Sequence, residues 1–107
     1  MKLSLDFKDR LMLLSLFNTK DKAGLADWGI IDETVAVLRV SQEEQDLYGV
    51  EVKNDSTIWT NEKEAGKEKD YDIPKRGVEI AEEALKAMDK SGGILRDYVP
   101  LAKKLLE

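Results

Sequence analysis

Apolar residues near the start of the chain recur at helical spacing. Phe7, Leu11, Leu14 and Phe17, joined by Leu13, predict a helix over 7–17. Asp6 is placed to cap it, with Asp9 three residues on as a variant of the capping box. The apolar arc is wide, so this helix is expected at the centre of the core. After the turn cluster Asn18-Thr19-Lys20-Asp21, residues 22–29 read as a short helix stopped by Gly29. Asp32 can cap a third short helix over 33–39 that buries Ile31, Val35 and Leu38. The β-branched run there keeps a strand open as the alternative. Ser41-Gln42-Glu43-Glu44 has the form of a capping box and opens a helix over 42–48, ended by Gly49.

The pattern then changes period. Val50-Glu51-Val52-Lys53 alternates, Asn54-Asp55-Ser56 is a turn, and Thr57-Ile58-Trp59-Thr60 is β-prone, which together predict a hairpin. Residues 61–69 are polar and aperiodic and read as a solvated loop, and 70–73 as a third strand. Pro74 suits a first helical turn. Val78, Ile80, Ala81, Ala84, Leu85 and Met88 mark a long amphipathic helix to Lys90, stopped by Ser91-Gly92-Gly93. A last helix covers 94–106, with Asp97 as cap, Pro100 in its first turn, and Tyr98, Leu101 and Leu105 facing inward. The expected fold is a single α-rich α+β domain over 1–107: several short helices, a small antiparallel hairpin or sheet, then two C-terminal helices. The succession of helices and hairpin is winged-helix-like.

Composition removes whole classes of chemistry. The 107 residues include no cysteine and no histidine. Disulfide scaffolds, iron–sulfur clusters, thiol nucleophiles and histidine-based triads are therefore excluded. The remaining carboxylate pairs, Glu82-Glu83, Glu43-Glu44 and Asp70/Asp72, lie among other charges and read as solvated surface. Asp70-Tyr71-Asp72 lacks the spacing of a calcium loop. Gly92-Gly93 lacks the lysine and serine or threonine of a phosphate-binding loop and reads as a helix stop. No catalytic, metal or cofactor residue is assigned, and the chain is not expected to be an enzyme.

Charge is informative through its placement. The net charge of −5 comes from 17 basic and 22 acidic residues, and residues 32–55 alone hold seven acids against Arg39 and Lys53. Such a surface repels a polyanion, so direct nucleic-acid binding is not expected. In a winged-helix arrangement the helix before the hairpin, Gln42-Glu43-Glu44-Gln45-Asp46, would have the wrong sign for DNA, and protein binding is the better expectation. The candidate partner-binding residues are Glu43, Glu44, Asp46, Glu51 and Asp55. Trp28 joins them as an aromatic anchor, although core packing is its leading reading and that of Trp59 as well. The longest apolar run, Leu11 to Phe17, is interrupted by Ser15 and too short for a membrane span, so a cytoplasmic location without membrane contact is expected.

The run Phe7-Lys8-Asp9-Arg10-Leu11-Met12-Leu13-Leu14-Ser15-Leu16 is similar to the opening of small phage and prophage proteins of unknown function. The helix start Ser41-Gln42-Glu43-Glu44, the strand end Ile58-Trp59-Thr60-Asn61 and Lys69-Asp70-Tyr71-Asp72-Ile73 before a long Ala/Leu/Lys helix resemble the same group. Pro74 and the short last helix depart from it. The resemblance implies a phage or mobile-element context and carries no catalytic residue. Small acidic phage proteins often bind a host or phage protein, and some block host defence nucleases by occupying their nucleic-acid surfaces. The resulting expectation is a non-catalytic interaction module, an inhibitor or modulator of a host nucleic-acid-handling or defence protein with a basic surface. The alternatives are a winged-helix-like regulator using Lys75, Arg76, Lys103 and Lys104, or a phage assembly component; a homodimer is also open.

Overall fold

The computed structural model describes residues 1–107. Its elements are β1 (Lys2–Leu5), α1 (Phe7–Asn18), α2 (Leu25–Leu38), α3 (Gln42–Tyr48), β2 (Val50–Lys53), β3 (Ser56–Trp59), α4 (Glu62–Ala65), β4 (Lys69–Asp72), α5 (Lys75–Lys90) and α6 (Val99–Leu106). A 3-10 turn at Arg96–Tyr98 leads into α6. The fold is α+β, as the hydrophobic pattern predicts. β2 and β3 form an antiparallel hairpin after α3, and two helices close the chain.

Two local features match their sequence signals closely. Asp6 and Asp9 form a capping box on α1, and Ser41 and Glu44 form one on α3, each with both reciprocal hydrogen bonds. Gly49 then ends α3 in the left-handed conformation, φ 64°. The hairpin turn is tighter than expected. Asn54 (φ 50°) and Asp55 (φ 64°) alone form it, so that Ser56 already belongs to the second strand. Both central residues at positive φ define a type I′ turn, whose twist matches that of the strands.

Other elements depart from the sequence reading. Residues 25–38 are one helix, not two short ones divided at Gly29, and not a strand. A glycine inside a helix costs only about 1 kcal/mol relative to alanine. Ile31, Thr34 and Leu38, all buried on one face, outweigh it. A short helix, α4, interrupts the polar stretch, with the Asn61 side chain accepting from Glu64 N. The last helix starts at Val99, and Asp97 lies in the preceding 3-10 turn instead of capping it.

The third strand does not extend the hairpin. β4 pairs antiparallel with β1, an N-terminal strand that the sequence pattern did not reveal, with Leu3 opposite Tyr71 and Leu5 opposite Lys69. The molecule therefore has two separate two-stranded sheets. The buried apolar residues correspondingly fall into two clusters. The larger holds 14 buried residues, from Leu5 through Leu13, Leu16, Phe17, Ile31 and Leu38 to residues of α5 and α6. The smaller holds Phe7, Tyr48 and Ala65, edged by Leu11, Val40, Val50 and Trp59. α1 serves both clusters. Its fully buried leucines are Leu13 and Leu16, while Leu14, expected inward, is only partly buried.

α5 meets α2 at Gly77. A Cβ there would lie 2.4 Å from the Thr34 hydroxyl oxygen, so only glycine allows the approach. Across the same contact Arg76 holds both carboxylate oxygens of Asp27, at 3.1 and 2.9 Å, and reaches Glu83 at 2.9 Å.

Candidate partner-binding surface

α3, the hairpin and α4 form a small lobe against the first half of α1, and five of the six candidate residues lie on it. Its attachment depends on Arg10. This side chain is only 2% exposed and extends from α1 to the junction of α2 and α3. Its guanidinium donates to both oxygens of Glu44, at 2.6 and 3.2 Å, and to the carbonyls of Leu38 and Arg39, both at 3.1 Å. It thereby caps the C-terminal carbonyls of α2 and holds the first turn of α3. The Tyr71 ring of β4 lies beneath it, 4.9 Å from the guanidinium carbon. Only its Nε is left without a partner. The hydrogen bond from Arg10 holds the Glu44 carboxyl below its usual range. Burial disfavours the Arg10 charge, but the bond to Glu44 and the facing tyrosines and carboxylate raise its pKa nonetheless.

Glu44 is thus committed to the fold. The other acids divide by face. Glu43, Asp46 and Leu47 share the outward side of α3 at i, i+3 and i+4, and all three are exposed. Asp46 accepts one hydrogen bond from Gln42, 3.1 Å away. Glu51 lies on the outer face of the hairpin, 3.5 Å from Lys53. Asp55 sits at the hairpin tip. Trp28 is on α2, half-buried against the larger cluster, and does not join the lobe. Trp59 is also only half-buried, with its ring meeting Phe7 edge-on at 5.2 Å.

The hairpin overhangs α1 and leaves a groove of about 560 Å³ between them. Leu11, Met12 and Trp59 supply its apolar lining, and Lys8, Asp55 and Asp97 its charges. Lys8 and Asp97 face each other at 3.5 Å. No three acidic side chains converge in a way that could hold a metal ion.

Outside the lobe, several charges are consumed internally. Lys104 binds the buried Asp9 carboxylate, the Ser4 carbonyl at 3.2 Å and Glu68 at 3.3 Å. Burial works against its charge, but Asp9 and Glu68 raise its pKa. With Arg76 held by Asp27 and Glu83, two of the four basic residues named for a nucleic-acid surface are engaged within the fold. Sequence reasoning found the Glu44 cap but missed its second role. The available signal was Arg10 itself, a charge set between Phe7 and Leu13 on a helix otherwise expected in the core. No helix is long and apolar enough to cross a membrane. Family models, curated proteins and solved structures contain no match to this chain.

Proposed function

We propose that the chain is a non-catalytic protein-interaction module whose α3–hairpin lobe meets a partner with a basic surface. The observation that carries this reading is the outward face of the lobe. There Glu43 and the weakly engaged Asp46 share the exposed side of α3 with Leu47, and Asp55, also without a basic partner, stands at the hairpin tip. Leu47 is 44% exposed and Ile58, on the outer face of the hairpin with Glu51, is 40% exposed. Carboxylates around exposed apolar groups suit a partner that offers lysine or arginine at its rim and an apolar centre. The resemblance to small phage proteins makes a host nucleic-acid-handling or defence protein the natural class of partner, with the chain as its inhibitor or modulator.

The test separates structural from free acids. A partner is captured from host lysate at low and high salt, and its association with the chain is followed at both ionic strengths. Glu43→Gln, Asp46→Asn and Asp55→Asn together should slow association and flatten its salt dependence, because complementary charge acts mainly on the on-rate. Urea stability of the triple variant should stay within about 0.5 kcal/mol of the parent. An unchanged on-rate and salt slope, with the fold intact, would remove the acidic face from the mechanism.

A further inference from the structure

The hairpin has a free edge whose sequence is complementary to itself. Thr60 N donates to Gly49 O at 3.2 Å, and the register places Glu51 opposite Ile58 and Val52 opposite Thr57. Hydrogen-bonded pairs therefore alternate through 49/60, 51/58 and 53/56, and the N–H and C=O groups of Val50 and Val52 point away from β3. The sheet has two strands only, and no other segment bonds to these groups. Val52 is 73% exposed, and the side chains of Glu51 and Lys53 are 53% and 68% exposed, so the edge is open to solvent over 51–53, beyond the half-buried Val50. An open strand edge of this kind is a template for another strand.

We propose that β2 pairs with β2 of a second copy of the chain, antiparallel about a two-fold axis at Val52, to give a continuous four-stranded sheet. This register sets Val52 opposite its own counterpart, exchanging two backbone hydrogen bonds. Glu51 then faces Lys53 of the other copy, and by symmetry the contact occurs twice. These are the non-hydrogen-bonded positions, where side chains approach most closely. The other strands lack this property. β3 carries no charged side chain to select a register. Self-pairing of β4 would bring Asp70 opposite Asp72, or Asp70 opposite itself. On β1 the Ser4 carbonyl is already occupied by Lys104. The β2 contact is small, so the dimer is reversible and forms at high concentration. It occupies Glu51 and leaves the outward face of α3 open.

Sedimentation equilibrium of the full chain up to millimolar concentration tests the proposal. Wild type should show a monomer–dimer equilibrium. Glu51→Lys or Lys53→Glu alone should weaken it about tenfold, since each turns two opposite-charge contacts into like-charge ones. Glu51→Lys combined with Lys53→Glu should restore it. Val52→Pro removes an N–H that the hairpin itself does not use and should abolish the dimer while the far-ultraviolet spectrum is kept. A chain monomeric throughout, a dimer indifferent to Val52→Pro in a folded variant, or failure of the double reversal to recover association would each overturn the pairing.

Discussion

The helical body and the α3–hairpin lobe are built on different scales. The body joins four helices and the β1–β4 ribbon around 14 buried apolar residues. The Arg76–Asp27 pair fastens α5 to α2, and Lys104 of α6 holds the buried Asp9 of α1. The lobe supplies two buried residues, Tyr48 and Ala65, which close over Phe7 of α1, and its hairpin projects into solvent. Stability is thus concentrated in one region and accessible surface in the other. Regions with few buried contacts open locally at lower free energy than the core. The lobe is not independent, however, because Phe7 and Arg10 reach it from the same helix that supplies Leu13 and Leu16 to the body.

The strongest way to break this division is at Arg10. Arg10→Met takes the guanidinium donor from Glu44 and from the Leu38 and Arg39 carbonyls at once, and each buried acceptor left unsatisfied costs about 1–3 kcal/mol. Urea melts should show that loss, and hydrogen exchange should show α3 and the hairpin losing protection before α5. Next comes the contrast within the apolar residues. Leu13→Ala should cost about 2–5 kcal/mol through lost burial and a cavity. Val52→Ala in the lobe should stay within about 0.5 kcal/mol, because that side chain is already in water. Comparable losses in the two variants would erase the proposed difference.

Acid sharpens the same comparison. The folded-state pKa of Glu44 lies below its ordinary 4.5. Its contribution is therefore complete above that value and is lost as pH falls through the lower, folded one. Glu44→Gln should be less stable than wild type at neutral pH, and the gap should close between pH 4.5 and the acid limit. Asp6, raised by burial, works with the opposite sign, so the difference between the two proteins is the informative quantity. The smallest expected effect is favourable. Gly29 has open space where a Cβ would stand and no positive φ. Gly29→Ala should stabilise the body by about 0.5–1 kcal/mol, read as a higher midpoint in a thermal melt.

What the sequence revealed follows the range of the interactions involved. The capping boxes, the hairpin and α5 are written within a few neighbouring residues, and each was legible. β1 was not, because four residues carry little periodicity and its partner lies more than 60 positions away in the register. Gly29 misled because a local cost of helix interruption was weighed without the tertiary face of Ile31, Thr34 and Leu38. Among the candidate binding residues, composition identified the acidic stretch but could not divide it. Glu44 looks like Glu43 until Arg10, 34 residues earlier, is brought to it.

The Asn54–Asp55 turn lies almost midway along the chain, at a solvent-exposed tip. Before it come β1, α1, α2, α3 and β2; after it come β3, α4, β4, α5 and α6. Each half contributes one strand of the β1–β4 ribbon and half of the helical wall, and neither half encloses a core by itself. A backbone opened at that tip leaves two fragments whose apolar faces have only each other to cover them. The molecule is in this sense a tight complex of two half-chains, joined covalently where the joint matters least to packing, and it offers a natural place to divide the protein into halves that reassemble on mixing.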